Sequence, residues 1–267
     1  MLVLIRGAGD IASGIALRLR RAHIRVVMTD TEKPTAIRRT VCFSQAILQG
    51  QTEVEGQIAV RAEDPAQTEA ALRAGQIPVL ADPQAACLAW LRPDAVVDAI
   101  LAKRNLGTKL TDAPVVVAVG PGFTAGEDCH AVVESMRGHT LGRVIYRGSA
   151  IANTGLPGLI GGFGVERVLR APADGCFHPL KAIGETVAPG EPVALVAGKE
   201  MRCAIGGILR GLLPEGTPVT AGMKAGDVDP RADAACCQTA SDKALAIGGG
   251  VLEAILNLTN TLEEHHG

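Results

Sequence analysis

The residues of this chain best suited to chemistry gather around glycines. Gly7, Gly9 and Ala12 form a Gly-x-Gly-x-x-Ala turn, and Asp30 follows it at about the 20-residue distance at which an acid meets a ribose in dinucleotide-binding turns. Gly7 permits a tight bend with positive φ, Gly9 leaves the backbone uncovered, and Ala12 is small where a helix crosses a strand. The free N–H groups at a helix start carry about half a positive charge, which favours a phosphate. Asp10 complicates this reading. As the helix N-cap its carboxylate satisfies those N–H groups itself and would repel a pyrophosphate. A cofactor-holding turn and a capped helix without a cofactor both stay open.

Two further loops offer anion chemistry. Lys103, Arg104 and Asn105 place two cations and an amide after one apolar strand, and Gly120, Gly122 and Thr124 set glycines around a hydroxyl after the next. Simple turn chemistry explains either loop equally well. Arg38 and Arg39 offer another anion contact or a solvated turn. His130 and His139 flank Glu134, a spacing open to acid–base work as well as to ordinary surface histidines.

The elements that must position these residues are legible in the hydrophobic pattern. Leu2 to Ile5 is an apolar strand, Ile11, Ile15 and Leu19 recur at helical spacing, and Arg25 to Asp30 is a second strand ending in an acid. Strands follow near 57–60, 77–81, 95–100 and 115–119. A helix over 65–75 is opened by Asp64 as N-cap and Pro65 at its first position, and another spans 83–91. This alternation predicts a parallel sheet covered on both faces, hence an α/β, Rossmann-like domain over residues 1–165 with ligands at the carboxyl ends of its strands.

Beyond Tyr146 the texture changes to glycine, proline and short apolar pairs. Gly175, Gly184, Val187 and Gly190 recur at a fixed offset as Gly207, Gly216, Val219 and Gly222. A repeat of glycine turns and valine strands predicts two intertwined β halves. The stretch 166–230 resembles the small biotinyl/lipoyl-like sandwich, here inserted in the chain. Lys199 falls near the hairpin where carrier domains hold their cofactor, but it lacks the methionine–lysine–methionine setting. Residues 231–267 read as a C-terminal helix, N-capped by Ser241 and packed back on the first domain. Its Gly248-Gly249-Gly250 run costs a helix interior about 2–3 kcal/mol relative to alanine, which close packing would offset.

Composition narrows the classes. The chain has 267 residues, is 47% hydrophobic and 20% charged, and carries a net charge of −2, so it is a packed globular protein. It has no basic footprint and few aromatics, which argues against nucleic acid as a partner. No signal peptide precedes the first strand and no apolar run approaches membrane-spanning length, so a cytoplasmic location away from membranes is expected. Seven cysteines without CxxC spacing, and six histidines including His265-His266, give no disulfide framework and no metal site. The vicinal pair Cys236-Cys237 reads as ordinary thiols or as a soft-metal or selenium site. Homo-oligomerisation stays open.

The combination of motifs resembles the YqeB-type accessory proteins. It rests on residues 7–14, Arg38-Arg39-Thr40-Val41, Ala102-Lys103-Arg104-Asn105 and residues 120–126. It rests also on Glu134-Ser135-Met136-Arg137-Gly138-His139, Asp229-Pro230-Arg231, Ser241-Asp242-Lys243-Ala244 and residues 246–253. The first domain is also similar to the Rossmann part of XdhC-type chaperones. The resemblance implies a maturation factor for a selenium-dependent molybdenum hydroxylase. Such a factor would bind NAD(P) or molybdopterin cytosine dinucleotide and present it to the hydroxylase or its maturation proteins. An NAD(P)-dependent oxidoreductase and a non-catalytic interaction module are the alternatives.

Overall fold

In the computed structural model, which describes residues 1–264, the chain divides into two compact units. The His265-His266 tail lies outside the described residues. The first unit comprises Met1–Pro34, Phe43–Asn153 and Ala240–Gly267, and the second comprises Thr35–Cys42 and Thr154–Thr239.

The first unit is built on a nine-stranded sheet. Its strands are β1 (Leu2–Arg6), β2 (Arg25–Asp30), β3 (Gln51–Val54), β4 (Gln57–Arg61), β5 (Ile77–Ala81), β6 (Ala95–Asp98), β7 (Val115–Val119), β9 (Ala131–Val133) and β10 (Val144–Ile145). The short strands β8 (Thr124–Ala125) and β11 (Gly148–Ser149) form a separate antiparallel pair. The large sheet runs in the order β10-β9-β7-β6-β1-β2-β5-β4-β3. Its inner strands are buried valine, isoleucine and leucine runs, as a sheet covered on both faces requires. Five helices accompany it: α1 (Asp10–Arg21), α2 (Gln45–Gln49), α3 (Pro65–Arg73), α4 (Leu88–Leu91) and α5 (Asp242–Glu264).

Helix α3 starts as its sequence dictates. The Asp64 carboxylate accepts from Gln67 N at 2.8 Å, with Pro65 in the first turn. The glycine run of α5 has a packing cause at two of its three positions. A Cβ at Gly248 would press on Arg18 and on Gly14 O, and one at Gly250 would collide with Gly142 O. Gly14 in turn leaves only 2.5 Å between an added Cβ and Ala244 Cβ. Helices α1 and α5 therefore cross on small residues. Gly249 faces open space and has no such reason.

The second unit holds two four-stranded antiparallel sheets. Its strands are β12 (Val168–Arg170), β13 (Gly175–Pro179), β14 (Thr186–Val187), β15 (Pro192–Val196), β16 (Lys199–Arg202), β17 (Gly207–Leu212), β18 (Pro218–Val219) and β19 (Lys224–Asp229). They pair as β12-β19-β17-β14 and β16-β15-β13-β18, so each half of the repeat gives a short strand to the other's sheet. The repeated glycines share their backbone too, with φ of 150° and 151° at Gly175 and Gly207, and 80° and 81° at Gly190 and Gly222. Phe177, Val193, Leu209, Leu212 and Val228 fill the space between the sheets.

This architecture corrects the expected fold class. The main sheet is mixed, not Rossmann-like parallel: β3 pairs antiparallel with β4 at one edge, and β10 with β9 at the other. Glu55 and Gly56, at φ of 47° and 78°, form a two-residue reversal that leaves no room for the crossover a parallel pair needs. The second unit is likewise no simple biotinyl/lipoyl-like insert. It takes in the distant segment 35–42, where Leu212 N donates to Ile37 O at 2.9 Å and Arg39 Nε to Leu212 O at 2.8 Å. The helix expected over 83–91 shrinks to α4, and the strand expected to end at residue 100 ends at Asp98.

Candidate functional site

In the first unit the carboxyl ends of β9, β7, β6, β1 and β2 lie along one edge of the sheet. Strand β1 is flanked by β2 on one side and β6 on the other, so the chain order reverses there, and ligands of open α/β sheets bind at such points.

Gly7 bends the chain directly after β1 with φ of 100°, and a Cβ there would meet Ala99 O at 2.8 Å. Glycine is thus required by conformation and by the neighbouring loop. Gly9 is different. As N-cap of α1 it has φ −75° and ψ −170°, which any residue adopts, and its Cβ position has nothing within 4 Å. Gly9 is thus the N-cap in place of the expected Asp10, and no N-cap side chain bonds to the helix start. Ala12 is buried against the sheet.

Asp30 turns inward on the same bend. Its Oδ2 accepts from Ala8 N at 2.9 Å and its Oδ1 from Thr31 N at 2.8 Å. Burial lifts its pKa above the ordinary carboxylate range, with the bonds from Thr31 and Ala8 acting the other way. Asp30 therefore fixes the turn rather than presenting its oxygens to a sugar. Ala8 O accepts from Ser44 N at 2.9 Å and from Ser13 Oγ at 3.2 Å, so residues 43–45 lie beside the bend. Three buried polar atoms here have no protein partner: Arg6 Nε just before Gly7, Ser44 Oγ and Gln45 Nε2. Each such atom costs about 1–3 kcal/mol when left unpaired.

The two loops singled out in the sequence meet. A Cβ on Gly122, at φ 106°, would strike Arg104 N at 2.5 Å, so the 101–105 backbone lies directly on the 120–126 loop. A Cβ on Gly120, at φ 78°, would lie 2.5 Å from Ser135 Oγ. Asn105 organises its loop from within. Its Oδ1 accepts from Gly107 N and Thr108 N at 2.8 Å, and its Nδ2 donates to Thr108 O at 2.9 Å and Asp128 Oδ1 at 3.1 Å. Thr124 N donates to Asp128 Oδ2 at 2.8 Å, and its hydroxyl pairs with Ser149. The side chains of Lys103 and Arg104 stand exposed above these loops. Beneath them Thr108 is buried, accepting from Arg6 and donating to Asp98 Oδ2 at 2.6 Å.

The edge also gathers residues that composition and spacing did not mark as ligand-binding. Glu134 is buried, accepting from Met136 N at 2.6 Å and Ile151 N at 2.8 Å, so it anchors two loops. His130 lies at the opposite, amino end of β9, where its Nδ1 accepts from Val116 N at 3.0 Å and burial lowers its pKa. Neither residue is poised as an acid–base partner. Arg137 holds Asp242 at the start of α5, and next to it stands Lys243, half-buried. Burial, then Arg137, push the Lys243 ammonium below its ordinary range, while Asp10, Glu134 and Asp242 act in the opposite direction. Asp10, the residue expected to repel an anion, thus lies within electrostatic reach of a lysine from the far end of the chain. Only tertiary packing brings that lysine here.

In the second unit Cys236 is half-buried with Arg231 Nη2 at 3.5 Å from its sulfur, and Cys237 is buried with its thiol pushed up. Arg38 donates to Cys236 O at 2.7 Å and to Thr239 O at 3.0 Å. Among the described residues no three His, Cys, Asp or Glu side chains gather as a metal site. No described helix is long and apolar enough to cross a membrane.

No protein-family model matches the chain. It is 52% identical, over 96% of its length, to the uncharacterized protein YqeB of Escherichia coli K12, and it spans about half of that protein, 48%. The YqeB-type likeness read from the motifs is thereby shown, without the selenium and molybdenum role or the likeness to XdhC-type chaperones. Solved structures matched over 85% of the chain include an aspartoacylase family protein of Mesorhizobium loti at 13% identity, with 84% of that chain covered and a TM-score of 0.29. Another is a succinylglutamate desuccinylase/aspartoacylase of Rhodobacter sphaeroides at 17% identity, again with 84% covered and a TM-score of 0.27. A third is the ectoine utilization protein EutE of Ruegeria pomeroyi, at 13%, 84% and 0.27. None of these proteins bears the name of a hydroxylase maturation factor, an NAD(P)-dependent oxidoreductase or a Rossmann nucleotide-binding protein. The functional expectation drawn from the resemblance is corrected accordingly, and none of its three versions is carried further. At such TM-scores the chemistry of the matched enzymes is not carried over either.

Proposed function

We propose that this chain, which matches YqeB along nearly all of its own length, binds a small anionic metabolite at the carboxyl edge of the nine-stranded sheet. The anion lies against the bare helix start at Gly9, with Lys243 supplying positive charge. One observation carries this reading. Neither the backbone angles nor the packing of Gly9 requires glycine, whereas a ligand resting on main-chain N–H groups does. The unpartnered Arg6 Nε, Ser44 Oγ and Gln45 Nε2 beside the same bend support a polar occupant. Lys243 offsets the Asp10 carboxylate, the chief electrostatic objection to an anion there.

Calorimetric titration with pyrophosphate at low ionic strength tests the reading. NADP and molybdopterin cytosine dinucleotide as further titrants identify what the anion is attached to. Saturable binding of at least one of them, weakened by Lys243→Gln, supports it. Heats no larger than dilution for all of them refute it.

A further inference from the structure

The geometry points to a second binding site in the first unit, a cavity of about 560 Å³ at the carboxyl ends of β4 and β5 that takes a small organic cation, an ammonium or guanidinium compound with an apolar body. The volume lies within the roughly 300–1,000 Å³ range of small-molecule pockets. Its position on the strand ends is the one that ligands of α/β sheets use.

The charge of the lining chooses the ligand. Four carboxylates, Glu32, Glu63, Asp64 and Asp82, surround one guanidinium, that of Arg61. Arg61 is committed to the protein: Nη1 donates to Ile47 O at 2.9 Å, Nε to Glu63 Oε1 at 3.0 Å, and Nη2 lies 3.1 Å from Glu32 Oε1. It and its two partners close on one another. Asp64 and Asp82 remain, each using one oxygen on a backbone N–H, Asp64 Oδ1 on Gln67 N and Asp82 Oδ2 on Cys87 N, both at 2.8 Å. Asp82 also takes the Cys87 thiol, and the second Asp64 oxygen stands outside these bonds. A focused negative potential in a recess draws cations and rejects anions.

The apolar part of the lining completes the match. Trp90, 39% exposed, and Leu80 line the same recess. An indole and carboxylates in one lining suit ammonium and guanidinium groups, with about 0.5–2 kcal/mol from a cation–π contact. Cys87 is no nucleophile here. Burial, then Asp82, push its thiol to about 12, so it stays protonated and serves as wall. The site is therefore one for reversible binding, and it does not depend on the anion site at Gly9.

The experiment uses Trp90 as its own reporter, because the chain has 1 tryptophan. Agmatine and choline are titrated into the whole protein while tryptophan emission is followed, with sodium chloride and benzoate as controls at matched ionic strength. The expected result is a saturable change for agmatine or choline alone, with the midpoint raised at least tenfold in Asp82→Asn. Asparagine still accepts from Cys87 N, so the turn survives. Should that variant misfold, Asp64→Asn, which keeps its N-cap acceptor, is judged by the same criterion. Calorimetry on Trp90→Leu should show the same weakening. No saturable change with either cation, an equal response to benzoate, or an unaltered midpoint in the folded variant would overturn the inference.

Discussion

Arg137 donates from both terminal nitrogens to the two carboxylate oxygens of Asp242, at 2.6 and 2.7 Å, tying the loop after β9 to the first turn of α5. Lys243 is the next residue, so this pair sets where the ammonium stands. Its side chains are 30% and 73% exposed, and such pairs contribute about 1 kcal/mol or less to stability. Arg137→Ala should therefore leave the unfolding midpoint nearly unchanged. Anion affinity in the same variant should fall about tenfold, or about 1.4 kcal/mol. Paired denaturation and calorimetry check both halves.

The affinity should also follow the charge on Lys243. Because burial and Arg137 depress its pKa below the ordinary 10.5, deprotonation begins at lower pH than for a free lysine. Anion binding should hold steady through neutral pH and weaken on the alkaline side before 10.5 is reached. In Lys243→Gln the alkaline fall should vanish along with most of the affinity. A titration series from neutral to alkaline buffer measures it.

The glycine run of α5 separates packing from propensity. Gly249→Ala, facing open space, should stabilise the protein by about 0.5–1 kcal/mol through helix propensity. Gly250→Ala, which meets the Gly142 carbonyl, should destabilise it by about 1–3 kcal/mol through overpacking. Chemical denaturation of the two variants should show opposite signs.

The second unit should be the acid-sensitive one. Arg210 Nε donates to Asp227 Oδ2 at 2.8 Å and Arg167 to Asp227 Oδ1 at 2.8 Å, while Arg231 Nη2 reaches Asp229 Oδ2 at 2.6 Å. Burial acts to raise the Asp229 pKa, but the bonds from Arg231 and the charges of Arg210 and Arg231 bring it below its ordinary 3.8. A depressed carboxylate gives stability that is full above 3.8 and is lost as pH falls through the lower folded value. Asp30 and Asp98 in the first unit have the opposite sign. Burial lifts both, so protonation favours the fold as pH falls through their raised values. Asp227→Ala should cost about 3–5 kcal/mol by removing the carboxylate that the buried Arg167 and Arg210 share. Acid unfolding followed by hydrogen exchange resolves the two units.

The parts legible in the sequence were those set by local rules. The glycine bend after a four-residue apolar run, the Asp64-Pro65 helix start and the Ser241 cap, whose Oγ accepts from Ala244 N at 3.1 Å, are encoded by neighbouring residues. The repeat of glycine turns is visible again in matching positive φ values. What escaped depends on contacts between distant segments. Nothing local tells that 35–42 joins the second unit, that Asp30 turns back on Ala8 N, or that Lys243 comes to Asp10. The antiparallel edges were missed because β3 lacks an alternating apolar pattern and β10 is two residues long.

Gly9 offers the most direct test of the central claim. Its position tolerates a side chain in both backbone and space, so Gly9→Ala and Gly9→Asp should both fold, their unfolding midpoints moved only by the N-cap preference for aspartate over alanine. Calorimetric titration of the three proteins with pyrophosphate should give saturable binding to the unaltered chain, weaker binding to the alanine variant and none to the aspartate variant. Equal affinity in all three would contradict an anion resting on that bare turn.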